Sequence, residues 1–425
     1  MKVHILAEAG VIGKREIKRY VGKRGYKMSN DFTEYINRIG TDSAKWDGFA
    51  ERYPGLDSKD CIPMWVADTD FKAPQEVIDA IVEKAKFGIY GYPMAKGDSF
   101  DKAVMDWIYK HHGWKLSKEW IVPTAGIVPA ITYAIQAFTQ EGEGVIIQPP
   151  VYYPFKQTIK KNKRITIENP LIFDAKTYNC EMDFEDLERK VKDPNNKLLI
   201  LCNPHNPMGR VWVEEDLRTI GELCLNNGVL VFTDEIHSDL IFKGYKHTPL
   251  GMLDERINQN IITAYSASKT FNLAGLQTSA IVIANKRIRK KYINQLEINC
   301  VGYINIFGTI ALEAAYNHGE QYLTELLEYV EANIDYAIDY AEKNLKEVRI
   351  IKPQATYLVW IDFRGTGLSA DEIDALVIEQ AKIAADLGRW FGEEGAGFLR
   401  INFACHRSTL EKALRQLKSA ISSSK

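Results

Sequence analysis

The chain has 425 residues, of which 46% are hydrophobic and 26% are charged, and its formal net charge is −2. This length allows two or three domains with large cores. The near-neutral charge gives no reason to expect nucleic acid or an anionic membrane as a partner, and no apolar run is long enough to cross a bilayer.

Residues 1–27 differ from the rest because they carry eight lysines and arginines against two acidic residues. His4 and Glu8 interrupt the short apolar run, and no small-residue cleavage site follows, so a secretory signal is excluded. A transit peptide is disfavoured because hydroxyl residues are nearly absent. We interpret these residues as a flexible extension, native or added, with Met28 as an alternative start.

Helical and strand-like patterns alternate from about Ala73 onward. Apolar residues at helical spacing predict helices in APQEVIDAIVEKAKFG, FDKAVMDWIYKHHG and VEEDLRTIGELCLNNG. Short runs of consecutive apolar residues predict strands buried on both faces, in GVIIQPP, KLLILCNPHNP, VLVFTDE, IITAYSASK and SAIVIAN. This alternation is typical of an α/β fold with a mainly parallel sheet and helices on both faces.

The pattern changes after about Asn317. One long amphipathic helix is predicted in QYLTELLEYVEANIDYAIDYAEKNL, and strands are predicted in ATYLVWIDF and GFLRINFA. Between these strands, SADEIDALVIEQAKIAADLG predicts a helix that follows the N-cap candidate Ser369. These elements predict a smaller α+β domain.

The six cysteines are scattered along the chain without C-x-x-C spacing. This argues against a zinc site or a disulfide scaffold, and it favours buried free thiols in a reducing cytoplasm.

Several polar motifs follow the predicted strands directly. In open α/β sheets ligands bind beyond the carboxyl ends of the strands, so we expect these motifs to meet at one crevice. Gly126 precedes a predicted helix, whose free amides can bind phosphate; a plain turn is the alternative. Tyr152 and Tyr153 offer aromatic faces for stacking on a planar cofactor, or they pack in the core. Asn206 lies between two Asn-Pro steps that hold its amide in place, or it belongs to a purely structural loop.

Asp234 and Lys269 are the strongest candidates for chemistry. A buried carboxylate such as Asp234 needs a cation, for which a protonated heterocyclic nitrogen is suitable; an Asp in a turn is the alternative. His237 can hydrogen-bond a ring substituent or simply pack. An amine among apolar neighbours loses its proton more easily, and neutral Lys269 can then form an imine with a carbonyl compound. A solvated loop lysine is an equally weighted alternative.

Two further features complete the set of candidates. Ser266 and Ser268, just before Lys269, can donate hydrogen bonds to phosphate. Arg400 lies inside an apolar strand and needs a buried acceptor, either a substrate carboxylate or an internal Asp or Glu.

Together these motifs resemble the fold-type I, pyridoxal-phosphate-dependent class I/II aminotransferase family. SASKTFNLAGL is similar to its lysine motif, NPHNPMG to its asparagine loop, DEIH to its aspartate and FLRINF to its arginine strand. The resemblance spans nearly everything after Met28. Within the family, GTDSAKWD, PMWVADTDF, GIYGYP and PVYYPF resemble the MalY/PatB-type cystathionine β-lyases, which are C–S lyases.

The resemblance implies a large domain with a mainly parallel seven-stranded sheet and a smaller α+β domain. After the extension (1–27), we expect a segment joining the small domain (28–75), a large cofactor-binding domain (76–315) and the small C-terminal domain (316–425). The resemblance also implies that Lys269 is the catalytic residue and holds pyridoxal 5′-phosphate covalently. Asp234 would pair with the pyridinium nitrogen and Asn206 with the phenolic oxygen. The remaining cofactor contacts would come from Gly126, Ile127, Tyr152, His237, Ser266, Ser268 and, from the neighbouring subunit of a homodimer, Tyr92.

For the substrate, the resemblance implies that Arg400 clamps the α-carboxylate, and Trp65 and Tyr153 are candidates for the pocket lining. His237 and Gln277 depart from the broader aminotransferase pattern, which has tyrosine and arginine there; both departures favour the lyase subgroup. The expected reaction is α,β-elimination from cystathionine or a related cysteine S-conjugate to a thiol, pyruvate and ammonia. The alternatives are an aminotransferase with the same site and a cofactor-binding regulatory protein with little turnover.

Overall fold

The computed structural model describes residues 30–54, 56, 60–93, 97–174 and 177–424, so the predictions for residues 1–27 and Met28 lie outside the described part. Among the described residues, no helix has the length and hydrophobicity needed to cross a membrane.

Strands occur at all the apolar runs that predict them. The strands in the described part are β1 (Ile62–Pro63), β2 (Ile121–Thr124), β3 (Gly144–Ile147), β4 (Ile165–Glu168), β5 (Ile172–Phe173), β6 (Cys180–Glu181), β7 (Asn196–Cys202), β8 (Leu230–Asp234), β9 (Ile261–Tyr265), β10 (Ser279–Val282), β11 (Arg349–Ile350), β12 (Leu358–Asp362), β13 (Ile383–Ala384), β14 (Asp386–Leu387) and β15 (Phe398–Asn402).

The helices likewise follow the apolar periodicity of the sequence. The α-helices in the described part are α1 (Phe49–Arg52), α2 (Gln75–Phe87), α3 (Asp98–His112), α4 (Ile127–Phe138), α5 (Pro154–Lys161), α6 (Phe184–Val191), α7 (Glu214–Asn226), α8 (Glu255–Asn258), α9 (Lys286–Ile298), α10 (Ile306–His318), α11 (Glu320–Asn344), α12 (Ala370–Ala375) and α13 (Arg407–Ser423). Short 3₁₀ turns occur at Lys118–Trp120, Leu250–Met252, Ala274–Leu276, Arg364–Thr366, Gly388–Trp390 and Glu393–Gly395.

The main sheet has seven strands in the order β2-β10-β9-β8-β7-β3-β4. Only β10 runs antiparallel to its neighbours, β2 and β9, and the other pairs are parallel. Two separate apolar clusters pack against the sheet. One includes residues of α4, α5 and α9, and the other includes residues of α6, α7 and α8. The predicted α/β fold with a mainly parallel seven-stranded sheet is therefore confirmed.

A second, four-stranded sheet has the order β11-β12-β15-β14 and is antiparallel throughout. Helices α11 and α13 pack with it in the largest apolar cluster. The early segment joins this region, because β1 pairs in parallel with β13 and the Tyr53 hydroxyl donates to the Ala385 carbonyl at 2.6 Å. Helix α2 begins directly after Pro74, and helix α11 begins directly after Gly319. These two helix starts lie close to the proposed domain boundaries after residues 75 and 315.

The single helix predicted after Ser369 is too long, and this prediction is wrong in its second half. Ser369 does cap α12 with a reciprocal capping box to Glu372, but α12 ends at Ala375 and one π-helical turn, Leu376–Gln380, follows. Lys382 then adopts φ +54°, which a right-handed helix does not accommodate. The next residues form β13 and β14 instead, because pairing with β1 and β15 satisfies their backbone groups.

None of the six cysteines forms a disulfide; Cys300 is exposed and the other five are buried. The prediction of buried free thiols is thus right for all but Cys300.

Candidate active site

The carboxyl ends of three neighbouring strands bring the predicted motifs together. In the sheet register, Asp234 at the end of β8 lies opposite Cys202 at the end of β7 and Ala264 near the end of β9. Asn206 follows β7, and Lys269 follows β9. The expectation that strand ends form one crevice is confirmed, because a parallel sheet places these ends on one edge.

A cavity of about 200 Å³ opens at this edge. It is lined by all the predicted cofactor-binding residues except Tyr92: Gly126, Ile127, Tyr152, Asn206, Asp234, His237, Ser266, Ser268 and Lys269. Gln277 and Cys202 also line it. These predicted residues follow five different strands in the sequence, and they line one concave site.

The Lys269 amine lies at the cavity and donates a hydrogen bond to the Ala67 carbonyl at 2.9 Å. Burial, together with the positive charge of Arg400, lowers the lysine pKa to about 8, although the carboxylates of Asp68 and Asp234 oppose the shift. At pH 7 roughly a tenth of the amine is therefore uncharged and nucleophilic, far more than for an ordinary lysine. Sequence motifs did not reveal the role of Ala67, because a backbone acceptor leaves no signature in side-chain type.

Asp234 is a buried carboxylate that faces the same cavity. Its Oδ1 accepts a hydrogen bond from the Ile236 amide at 3.2 Å. Burial raises its pKa to about 7, and this amide and the charge of Lys269 only partly offset the shift. Among the described residues, no cationic side chain forms an ion pair with Asp234, so the site favours an added cation beside it.

Two further side chains define the walls beside Asp234. His237 is buried, and its Nδ1 has no hydrogen-bond partner. Burial, with the positive charges of Lys269 and Arg400, lowers its pKa to about 3, so the imidazole is neutral at physiological pH. Tyr152 lies on another wall, where its amide donates to the Asn206 carbonyl at 3.1 Å.

One end of the cavity is rich in hydrogen-bond donors. Gly126 precedes α4 with φ +114° and ψ 167°, a conformation almost restricted to glycine, and α4 has no side-chain N-cap. Its first amides therefore remain available to an anion. The Ser266 hydroxyl lies 2.8 Å from the Thr278 carbonyl and 2.9 Å from the Ser268 hydroxyl. This arrangement fits a phosphate group without the arginine that Gln277 replaces.

Arg400 has an internal acidic partner, which is one of the two acceptors expected for it from the sequence. Its guanidinium forms an ion pair with Asp386, and both side chains are buried. It also donates to the Asn206 side-chain oxygen at 2.9 Å and to the Trp65 carbonyl at 3.1 Å, while its Nε has no partner. Asp386 was missed because its segment reads as a helix in the sequence.

Four predicted residues do not line the cavity: Arg400, Trp65, Tyr153 and Tyr92. Arg400 is joined to the cavity through Asn206, whose side-chain oxygen accepts its hydrogen bond, and the Trp65 carbonyl also accepts from Arg400. Tyr153 lies beside Tyr152, with ring centroids 5.6 Å apart, and Tyr92 is fully exposed on the surface. The cavity within one chain is therefore lined without these four side chains.

Comparisons with known proteins agree with this geometry. Residues 59–417 match the family model for class I and II aminotransferases. The chain is 43% identical over 392 residues to the cystathionine β-lyase PatB of Bacillus subtilis, which covers 92% of this chain and 100% of that protein.

Two crystal structures are similar in fold as well as in sequence. Cystalysin from Treponema denticola, which contains pyridoxal 5′-phosphate, superimposes with a TM-score of 0.90 at 36% identity and covers 94% of this chain and 100% of its own. The C–S lyase from Staphylococcus hominis, also bound to that cofactor, gives 0.85 at 33% identity and covers 93% of this chain and 99% of its own.

Proposed function

The chain belongs to the family of class I and II aminotransferases, and we propose that it cleaves the carbon–sulfur bond of L-cystathionine or of related cysteine S-conjugates. It is a pyridoxal 5′-phosphate-dependent C–S β-lyase that releases a thiol, pyruvate and ammonia from a small amino-acid substrate. The convergence of Lys269, Asp234 and an anion-binding helix end on one cavity is the observation that carries the proposal.

The side chains of the cavity fit pyridoxal 5′-phosphate. The buried carboxylate of Asp234 suits the cationic ring nitrogen, and the partnerless Nδ1 of His237 suits a polar ring substituent. The uncapped end of α4, with Ser266 and Ser268, suits the phosphate. The partly neutral amine of Lys269 suits the aldehyde carbon.

We assign the steps of the reaction to this chain's own residues. When bound, the cofactor supplies the electron sink for the negative charge left on the substrate α-carbon. Asp234 would hold a proton on the ring nitrogen, and Asn206 would hold the phenolic oxygen. Lys269 Nζ would remove the α-proton of the substrate as general base. Tyr152 would hold a face of the ring.

Arg400 orients the substrate in this proposal. Its partnerless Nε and its position beside Asn206 support contact with the α-carboxylate. A guanidinium there would hold the α-carboxylate and so fix the position of the α-carbon. The Trp65 carbonyl accepts a hydrogen bond from Arg400, and Tyr153 packs against Phe391, the ring that Arg400 stacks on, so we place both residues in the proposed substrate pocket.

We further propose a homodimer with shared sites, in which Tyr92 reaches the phosphate of the neighbouring subunit. Exposed apolar side chains in two segments that touch each other support this, because apolar patches on a surface commonly mark interfaces. Tyr90 packs against Phe307 with ring centroids 5.6 Å apart, which joins the segment after α2 to the start of α10. The exposed large apolar side chains in these segments are Phe87, Ile89, Tyr90, Tyr92, Ile298 and Tyr303.

The domain division and the location remain proposals. The pairing of β1 with β13 supports a segment at 28–75 that joins the small domain at 316–425, with the large domain at 76–315 between them. The absence of disulfides among the six cysteines supports a cytoplasmic location.

The direct experiment is to incubate the holoenzyme with L-cystathionine without any keto acid and to measure pyruvate. A C–S lyase forms pyruvate under these conditions, whereas strict dependence on an added keto acid would identify an aminotransferase. Lys269→Ala should abolish the reaction, and Lys286→Ala, at an exposed lysine, should leave it unchanged. No pyruvate and no transfer, with the cofactor bound, would favour a regulatory protein.

A further inference from the structure

Five aromatic side chains lie between Arg400 and a second arginine, Arg52. We call them the aromatic wall: Tyr53, Trp65, Tyr153, Trp390 and Phe391. The Arg400 guanidinium carbon lies 5.0 Å from the centre of the Phe391 ring, which lies 5.6 Å from Tyr153. Tyr153 in turn lies 6.1 Å from Trp390. The wall therefore connects the proposed α-carboxylate site to Arg52 without a break.

Arg52, at the end of the short helix α1, is held on this wall. Its guanidinium carbon lies 3.6 Å from the centre of the Trp390 ring and 5.5 Å from that of Tyr153. Stacking on aromatic faces fixes the plane of a guanidinium and leaves its edge free for hydrogen bonds. Arg52 is thus pre-positioned and not a freely moving surface side chain.

The hydrogen-bonding capacity of Arg52 is not used within the described part of the chain. Its Nε is buried and has no partner, and no described carboxylate forms an ion pair with it. The charge of Arg52 acts on the Asp386 carboxyl, but the ion pair of that carboxylate is with Arg400. A buried donor without an acceptor costs free energy, so an anionic ligand group there would relieve the penalty.

The two arginines differ in their surroundings. Arg400 is neutralised by Asp386, whereas the charge of Arg52 has no ion-pair partner among the described residues. A substrate held by its α-carboxylate at Arg400 would extend its sulfur substituent along the aromatic wall. The apolar faces of the wall suit methylene groups, and the guanidinium beyond them suits a carboxylate.

We propose that Arg52 is a specificity-determining residue that binds a carboxylate at the distal end of the substrate. The preferred substrates are then cysteine S-conjugates whose leaving thiol carries an anionic group, of which L-cystathionine is one, over neutral S-alkyl cysteines. This inference rests on the proposed C–S lyase function and names the substrate class of that site. Arg52 takes no part in bond breaking; it holds the departing thiol before and during cleavage.

The test compares two substrates that differ mainly in the distal carboxylate, S-(2-carboxyethyl)-L-cysteine and S-propyl-L-cysteine, together with L-cystathionine. Pyruvate release gives kcat/KM for the wild type, Arg52→Gln and Arg52→Lys. The matched control is Arg349→Gln, because Arg349 also stacks on an aromatic ring, Tyr178, but its own side chain is exposed. Titration of the bound cofactor's absorbance with each amino acid gives an apparent affinity independent of turnover.

Arg52→Gln should lower kcat/KM for the two carboxylate substrates roughly tenfold to a hundredfold, the effect of one hydrogen bond to a charged group. It should leave S-propyl-L-cysteine essentially unchanged, and Arg52→Lys should retain part of the preference. Equal losses with all substrates, or no loss, would overturn the proposal and assign Arg52 to packing alone.

These measurements distinguish loss of the proposed lyase function from loss of the proposed role of Arg52. If the wild type releases no pyruvate from any conjugate, the proposed function fails, and the absorbance titration still decides the role of Arg52. A preference for carboxylate ligands that Arg52→Gln removes would support the role of Arg52; an affinity equal in both proteins would contradict it.

Discussion

Arg400 and Asp386 lie opposite each other in the register of the antiparallel strands β15 and β14 and form an ion pair. Their side chains are only 3% and 1% exposed. Burying two charges is costly, and the pair offsets that cost only while both partners are present. The proposed α-carboxylate site is therefore neutral before substrate binds, and Asp386 positions the guanidinium.

Removing the carboxylate of this pair should destabilise the protein. Asp386→Asn leaves the Arg400 charge buried and uncompensated, so we expect the free energy of unfolding to fall by about 3–5 kcal/mol. Chemical denaturation followed by circular dichroism measures it. The control is Asp371→Asn, whose partner Arg389 is 43% exposed, where about 0–1 kcal/mol is expected. Equal effects of both substitutions would contradict the importance of the buried pair.

The pKa of Lys269 predicts how cofactor uptake depends on pH. Only the neutral amine reacts with an aldehyde, and an ordinary lysine titrates at 10.5 whereas Lys269 titrates at about 8. The rate at which the cofactor-free protein incorporates pyridoxal 5′-phosphate should therefore rise with pH through about 8. Arg400→Gln removes a positive charge that lowers this pKa, so the inflection should move to higher pH.

Absorbance of the bound cofactor, recorded after stopped-flow mixing, gives this profile. Arg389→Gln, at an exposed arginine, is the control and should not move the inflection. A rate that keeps rising until pH 10 would mean that the amine is not desolvated.

Asp234 predicts opposite effects in the cofactor-free and cofactor-bound proteins. Burial raises its pKa from 3.8 to about 7, so the ionised carboxylate destabilises the cofactor-free fold above pH 7, and this penalty disappears below about pH 4. Asp234→Asn should therefore raise the free energy of unfolding of the cofactor-free protein at pH 8, on the order of a few kcal/mol, and have little effect near pH 4.

The same substitution should weaken cofactor retention, because the ring nitrogen loses its anionic partner. Thermal denaturation with and without pyridoxal 5′-phosphate at both pH values measures the two effects. A cofactor-free variant less stable than the wild type at pH 8 would show that the carboxylate already has a stabilising partner.

The exposure of Tyr92 predicts complementation between subunits. If Tyr92 serves the neighbouring site, a hybrid of a Tyr92→Ala subunit and a Lys269→Ala subunit contains one intact site, formed by Lys269 of the first and Tyr92 of the second. Mixed dimers should then recover pyruvate formation that neither parent shows at limiting cofactor. Failure to recover activity in dimers verified by mass spectrometry would place Tyr92 outside a shared site.

The sequence predicts most of the sheet and the residues at its edge because both leave local signatures. Buried strands such as β7 and β8 read as consecutive apolar runs, and Asp234 and Lys269 stand out because they are charged at the ends of such runs. The end of α12 is not predictable in this way. The segment after it is apolar enough for a helix, and only pairing with β1, distant in sequence, makes it a strand.

The missed site features share the same cause. The Ala67 carbonyl contacts Lys269, and the Asp386 carboxylate contacts Arg400; both are contacts between residues that are not neighbours in the sequence. Neither the identity of an acceptor in the backbone nor the register of β14 against β15 can be read from local composition. The position of Arg52 on the aromatic wall likewise depends on packing between α1 and a turn far along the chain.

The central claim is that the Lys269 amine holds the coenzyme, with Asp234 at its ring nitrogen. The most direct measurement is borohydride reduction of the holoenzyme followed by proteolysis and mass spectrometry. We expect a phosphopyridoxyl group on the peptide that contains Lys269, and its absence there after Lys269→Arg. A holoenzyme that carries the adduct on another lysine, or on none, would contradict it.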